Sequence, residues 1–494
     1  MKLGLFFAGS VPLLIGCSTD FHPKACTSDA ECGEGLVCVA QADTTLCAEA
    51  ATSPLRIGMS AAASGPSQDL GTEMKRGVSL AFDAQNEAGG IHGRPLVLEF
   101  RDDEYRPDLA EANAKSLLEV TPGATPPRCP TTMKPPVDGQ EPFSTTVLNR
   151  GPEAVVAVLG NVGTPTMVRF APIAVETQTM FFGAFTGAKN FLRDDKPGPC
   201  KKYIFNVRAS YGQEAHATLE FFVKRGLKDW KHLISFDQKD SFGQAGYDGL
   251  NAAYTDLGLT PIDAGAVIQR CQYVRDDLTS VPAQVTCASD HIQTLLDADT
   301  LPHTVGIFMT DTYGPGSQFI TSLKQWQYGD PERAARLTIY FSDVSFVGPN
   351  SLASRLKDAG TITTPTGPKP YTDLVYVSNV VPNYDQDKSD AVVEYKKLIA
   401  ATGAAPTFTS LEGYIAARVF LAGLDAHTGA YTSDALIETF ENLPELPLGL
   451  GATSGFTKDS HNYSKSVWGV GINPDGTFKN VYYWREGTPI SFFE

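Results

Sequence analysis

The chain has 494 residues, long enough for two or three domains, and 42% of them are apolar, enough to build packed cores rather than a disordered chain. Forty basic residues stand against 56 acidic ones, a formal charge of −16 that speaks against nucleic acid as a partner. Beyond the first residues no apolar run reaches the length of a membrane-spanning helix, so none is expected.

Lys2 followed by the apolar run from Leu3 to Ile15 reads as an export leader. Leu14-Ile-Gly-Cys17 matches the processing box of bacterial lipoproteins, so residues 1–16 are expected to be removed and Cys17 to carry lipid. Several acyl chains hold a protein on a membrane where one chain does so only marginally. Ser18 rather than Asp follows the cysteine, which by enterobacterial sorting rules permits the outer membrane. The expected address is therefore the periplasm or the cell surface, anchored to a bacterial membrane.

Removing Cys17 from nine cysteines leaves eight, an even number in an oxidising compartment. Cys26, Cys32, Cys38 and Cys47 crowd a spacer spanning residues 17–53. Their spacing lacks a C-x-x-C pair, so two disulfides are expected there rather than a zinc site, with the pairing open. Cys271 and Cys287 are expected to pair across a local loop, and Cys129 and Cys200 by elimination.

From Leu55 the pattern changes. Leu55-Arg-Ile-Gly-Met-Ser60 reads as a strand, and Ala61-Ala-Ala-Ser-Gly-Pro-Ser67 as a loop of small residues. Met74, Val78, Ala81 and Phe82 recur at helical spacing over about 70–86, and Gly89 and Gly90 stop that helix. A strand over 95–100 and a helix over 107–120 complete a β-α-β-α alternation, which implies parallel strands covered by helices. In such sheets ligands sit at the carboxyl ends of strands, against helix N-termini.

Four motifs fall in order here: Ile57-Gly-Met-Ser-Ala-Ala-Ala-Ser-Gly-Pro66, Gly71-Thr-Glu-Met-Lys-Arg-Gly77, Asn86-Glu-Ala-Gly-Gly-Ile-His-Gly-Arg-Pro95, and Asp102-Asp103 before Pro107. Together they resemble the N-terminal signature of type I periplasmic solute-binding proteins, in the branched-chain amino acid receptor branch of ABC importers. The resemblance extends more weakly to the C-terminus. It implies an α/β fold of two Rossmann-like lobes with parallel sheets, joined by a three-strand hinge.

Further along, Pro122 to Pro142 punctuate a stretch read as a surface insertion. Strands are expected at 154–159 and 180–182. Each is followed by a loop of small and hydroxyl residues, Gly160-Asn-Val-Gly-Thr-Pro-Thr166 and Gly183-Ala-Phe-Thr-Gly-Ala188. Val207-Arg-Ala-Ser-Tyr-Gly-Gln213 resembles the first crossover between lobes, and the α/β plan then repeats. The lobes are expected at 54–208 with 376–450, and at 209–375 with 451–494, the chain returning near 375–381 and crossing again near Leu450.

The resemblance also places a binding site. The family holds a ligand carboxylate with a serine after the third strand and a threonine with backbone groups after the fourth. The matching positions are Gly163 or Thr164, and Ala184, Phe185 and Thr186. Phe242 and Tyr313 match aromatics that close over the ligand, and Leu70 holds a position that is often aromatic. The glutamate that receives the ammonium falls at Ser345, a departure, with Asp343 two residues away as a substitute. Asp102-Asp103-Glu104 reads as a solvated acidic turn rather than a metal site. No G-x-S-x-G, Walker A or H-E-x-x-H motif occurs, so no enzyme activity, metal or cofactor is expected. The implied function is a monomeric lipoprotein that captures a small polar ligand (an amino acid, amide or small carboxylate) for an ABC permease. A second reading keeps the fold but makes the chain a ligand sensor, or an outer-membrane surface lipoprotein that engages a protein partner without transport.

Overall fold

The computed structural model describes residues 24–493 except 33–35, 42–43, 50–52, 124–128, 130–146, 190–191, 194–197, 199, 261, 264 and 452–453. The leader, Cys17 and most of the proline-rich insertion lie outside the described residues.

The first lobe opens with β1 (Leu55–Ala61), α1 (Gln68–Glu87), β2 (Leu96–Asp102) and α2 (Pro107–Leu117). It continues with β3 (Ala157–Leu159), α3 (Thr164–Glu176), β4 (Met180–Phe182) and β5 (Ile204–Phe205). These strands form a parallel sheet in the order β2-β1-β3-β4-β5. Helices cover the sheet, so β1, β3 and β4 read as nearly unbroken buried apolar runs. Helix α1 buries Met74, Val78, Ala81 and Phe82, the stripe that the spacing predicts, and Leu70 with them.

The chain then enters the second lobe through α4 (Tyr211–Lys224), β6 (Leu233–Gln238), α5 (Ser241–Asp256), β7 (Gln269–Tyr273) and α6 (Val281–Ala298). Strand β8 (His303–Thr310), α7 (Tyr313–Tyr328), α8 (Pro331–Arg336), β9 (Leu337–Val344), α9 (Pro349–Ala359) and β10 (Val375–Asn379) follow. Helices α10 (Asp390–Ala401), α11 (Phe408–Ala426) and α12 (Ser433–Glu441) return to the first lobe, α11 packing along α1. The last strands are β11 (Ser466–Ile472), β12 (Phe478–Arg485) and β13 (Thr488–Phe492). The second sheet has eight strands in the order β7-β6-β8-β9-β10-β11-β12-β13. Its first five are parallel and its last three join antiparallel.

The hinge lies later in the chain than the sequence suggests. Strand β10 belongs to the second sheet, so the return to the first lobe follows Asn379 rather than beginning near Val375. The last crossing is not near Leu450 either. Phe456 and His461 pack against Phe205 of the first sheet, and Tyr463 N donates to Asn206 O at 2.8 Å. Ser464 N donates to Val207 O at 3.0 Å, so the first and last crossings run side by side just before β11. A glycine-rich stretch gave no local signal for that register.

Four disulfides staple the described chain: Cys26–Cys38, Cys32–Cys47, Cys129–Cys200 and Cys271–Cys287. The first two close the spacer around a short hairpin, Leu36–Gln41 with Thr44–Glu49. All four spacer thiols are consumed, which leaves none of them as a metal ligand. Cys129 ties the insertion back to the first lobe, where its N–H also donates to Glu176.

Candidate ligand-binding cleft

Strands β3 and β4 are parallel neighbours, so the loops leaving them run together toward the second lobe. Val162 and Phe185 continue the pairing as a parallel bridge, with Phe185 N donating to Asn161 O at 2.7 Å. This brings the hydroxyls of Thr164 and Thr186 to 2.7 Å, both fully buried. Thr164 opens α3, whose free N–H groups and positive dipole end face the same spot. Gly163 precedes it at φ 100°, and a Cβ there would lie 2.4 Å from the Tyr105 ring, so glycine is required. Thr186 Oγ1 also accepts from Ala188 N at 3.2 Å, and Ala184 O accepts from Thr186 N at 2.8 Å.

Aromatic rings from both lobes close over these hydroxyls. Phe242 packs 5.4 Å from Tyr211 and 4.7 Å from Phe346, and Phe346 in turn lies 4.9 Å from Phe185 and 6.0 Å from Tyr105. Phe346 and Tyr105 are the hub of this contact and escaped the sequence reading. Phe346 follows the aligned Ser345, and an aromatic directly after a strand end was the available signal. Tyr105 sits in the left-handed region at φ 60°, next to Glu104 at φ 51°. Two such residues in a row, neither glycine, mark a backbone held in place by its surroundings. Tyr313 stands farther out on the rim, where its hydroxyl donates to Pro66 O at 2.6 Å. Leu70 fits beside it: a Cβ added to Gly348 would lie 2.9 Å from Leu70 and 3.1 Å from Tyr313. These residues bridge the lobes at the mouth rather than lining the hydroxyl pair.

The structure brings Ser345 to the cleft but not Asp343. Asp343 shares a face of β9 with Phe341, whereas Ser342 turns the other way to Thr218 of α4. The chain bends into a 3-10 turn at Ser345–Val347, so the two-residue offset no longer keeps both side chains together. Asp343 instead faces Asp311 beneath α7, both fully buried, with no hydrogen bond from any other residue to their carboxyl oxygens. Burial, then mutual repulsion, holds Asp311 well above the usual carboxylate range, and burial does the same for Asp343.

The acid that does reach Ser345 is Glu214, from the first turn of α4. Its Oε2 accepts from Ser345 N at 2.6 Å and from Ser378 Oγ at 3.1 Å. Arg208, on the first crossing, donates from Nη2 to Glu214 Oε1 at 2.8 Å and to Ser345 Oγ, and its Nη1 lies 3.3 Å from Glu412 Oε1. Its side chain is 1% exposed and lies over the Phe185 and Tyr211 rings at 5.1 and 5.6 Å. Burial pulls the guanidinium down, but Glu412 and Glu214 outweigh it and leave the pKa raised. Glu412 is pushed up to about 7 by burial against the pull of Arg208. Burial, and then Arg208, bring neighbouring Arg193 down to about 9. Glu412 was readable as the one charged residue in the first half of α11.

Of the acidic turn, Asp102 and Glu104 are exposed as expected, but Asp103 is not. Asp103 is fully buried, accepting from Ser60 Oγ at 2.7 Å and Tyr105 N at 3.0 Å. Asp102 accepts from Ala63 N and Ser64 Oγ. Together they hold the small-residue loop after β1 in place and position Tyr105.

Comparison with known proteins fits this geometry. A family model described as periplasmic binding protein matches residues 54–121 and 151–310, and the gap coincides with the proline-rich insertion. A protein described as a possible leucine/isoleucine/valine-binding protein from Rhodopirellula baltica SH 1 superposes with TM-score 0.68 at 27% identity, covering 88% of this chain and 98% of that one. In fold, and in sequence over residues 54–121 and 151–310, the chain is similar to the type I periplasmic binding proteins. Leu/Ile/Val-binding protein homolog 3 of Brucella melitensis biotype 1 is 36% identical over 232 residues, 47% of this chain. The match spans 52% of that relative, about half its length. A branched chain amino acid ABC transporter protein from Thermus thermophilus, solved with bound valine, shares the fold at TM-score 0.62 and 14% identity, covering 88% of this chain and 97% of that one. The relatives that this chain resembles are solute-binding proteins rather than enzymes. No helix among the described residues is long and apolar enough to cross a membrane.

Proposed function

We propose that this chain is an exported, lipid-anchored receptor that captures a small polar solute between its lobes and presents it to an ABC permease. An amino acid, an amide or a small carboxylate fits the reading. The observation that carries it is the buried Thr164–Thr186 hydroxyl pair at the N-terminus of α3, enclosed by aromatic rings from both lobes. Hydroxyls and helix N–H groups hold a carboxylate, and rings wall off an apolar substituent. Lobe-to-lobe contacts at the rim, such as Tyr313 with Pro66 and Ser351 with Asp69 at 2.7 Å, are those that hinge closure makes and opening breaks.

The test is a thermal-shift and calorimetric screen of the folded mature protein against amino acids, amides and short carboxylates. A saturable hit that Thr164→Ala weakens is expected. Silence across the panel would refute the receptor reading. Anchoring is tested separately: Cys17→Ser should abolish acyl labelling in cells and release the protein from the membrane fraction.

A further inference from the structure

The receptor reading leaves the ligand open between zwitterions and simple anions, and the charges inside the cleft distinguish them. An α-amino acid needs donors for its carboxylate and also a carboxylate free to receive its ammonium. Two acids face the crossing segment, and neither is free. Glu214 Oε1 takes Nη2 of Arg208 at 2.8 Å, and its Oε2 takes Ser345 N and Ser378 Oγ. Glu412 lies 3.3 Å from Nη1 of the same guanidinium. Arg208 lies between both acids, in contact with each.

The groups left over are donors. Arg208 Nη1 is buried with Glu412 as its ionic partner at 3.3 Å, and the buried Tyr211 hydroxyl stands beside the Thr186 side chain. Tyr211 is held beside the Thr186 loop by its N–H, which donates to Gly187 O at 2.7 Å. With the hydroxyls of Thr164 and Thr186 these make four donor groups, from α3, the loop after β4, the first crossing and α4, next to the rings of Phe185, Phe242 and Phe346. Arg193 Nη2 donates to Thr186 O at 3.1 Å and Nη1 to Arg208 O at 2.9 Å, bringing a second cation behind the same loop.

We infer that the cleft is built for a carboxylate that carries no amine, with Arg208 supplying in the protein the positive charge that an amino acid would bring in itself. This rests on the receptor reading above. The ligand class is a short 2-oxo, 2-hydroxy or unsubstituted acid with an apolar tail, the tail lying against the aromatic cluster. An ammonium placed there would displace Arg208 from its acids or remain buried without a partner, and either costs affinity.

Matched pairs test this without a prior guess at tail length: alanine against pyruvate, valine against 3-methyl-2-oxobutanoate, leucine against 4-methyl-2-oxopentanoate, phenylalanine against phenylpyruvate. Calorimetry on the folded mature protein should show the oxo acid of the best pair binding at least tenfold more tightly than its amino acid. An amino acid that binds as tightly as its oxo acid, or more tightly, overturns the inference and leaves the receptor reading standing. No binding by either member of any pair overturns this inference, and silence across the wider screen as well overturns the receptor reading. Arg208→Gln adds a readout that a merely structural role would not give. By freeing Glu214 and Glu412 it should collapse or invert the preference between the members of the pair, and an unchanged ratio in a folded variant counts against Arg208. Should that variant fail to fold, the wild-type pairs decide alone.

Discussion

Thr186→Ala probes the hydroxyl pair directly. Thr186 Oγ1 lies 2.7 Å from Thr164 Oγ1 and accepts from Ala188 N at 3.2 Å, in fully buried surroundings. Alanine removes one hydroxyl and leaves the Ala188 N–H without its acceptor. An orphaned buried donor costs about 1–3 kcal/mol, which should appear as a lower urea midpoint with unchanged m-value. The ligand carboxylate also loses a hydrogen bond of charge-assisted strength, so affinity should fall tenfold or more, equivalent to about 1.4 kcal/mol. Thr186→Ser keeps the hydroxyl and should restore most of both. Calorimetry with the best ligand of the screen separates the two effects, because it is run on folded protein. A variant that loses stability yet binds with wild-type affinity would remove Thr186 from the site and refute the reasoning from the paired loops.

Three further outcomes follow from the fold. Cys129–Cys200 closes a loop of 71 residues, so the double serine variant should lose about 4 kcal/mol by loop-closure entropy, seen as a large drop in Tm, whereas opening the 16-residue loop of Cys271–Cys287 should cost about 3. Burial pushes Asp103 up to about 7 from its ordinary 3.8, so its contribution is full at low pH and is lost as pH rises from about 4 through about 7, on the order of 4 kcal/mol. Urea midpoints at pH 5 and pH 8 should therefore differ less in Asp103→Asn than in the wild type. Gly77→Ala should destabilise although alanine favours helix by about 1 kcal/mol, since the added Cβ would meet Ser410 O at 1.9 Å and force α1 off α11.

The fold was legible because its signals are local. The stripe Met74, Val78, Ala81 and Phe82 makes α1 amphipathic whatever it packs on, and the unbroken runs of β1 and β3 report burial on both faces. Thr164 and Thr186 were legible for a related reason: parallel neighbouring strands deliver their following loops to one place, so two local patterns suffice. The hinge boundaries were not legible. Whether Val375–Asn379 pairs with β9 in the second sheet or with a strand of the first is decided by partners distant in sequence, and its own residues suit either.

The same distinction explains the ammonium site. The family resemblance places an acid at Ser345, and Asp343 lies two residues away, but strand alternation holds only while the strand lasts, and it ends there. Glu214 reaches Ser345 N across 131 positions of sequence, from a different element, so no window around Ser345 could contain it. Arg208, placed by sequence merely in a connecting segment, then takes up that acid. A buried Glu beside a buried Arg is costly to assemble when a ligand-borne ammonium would serve. Its presence between two carboxylates is therefore best explained by a ligand that does not bring the charge, which is why the preference between oxo acid and amino acid is the measurement that discriminates most sharply.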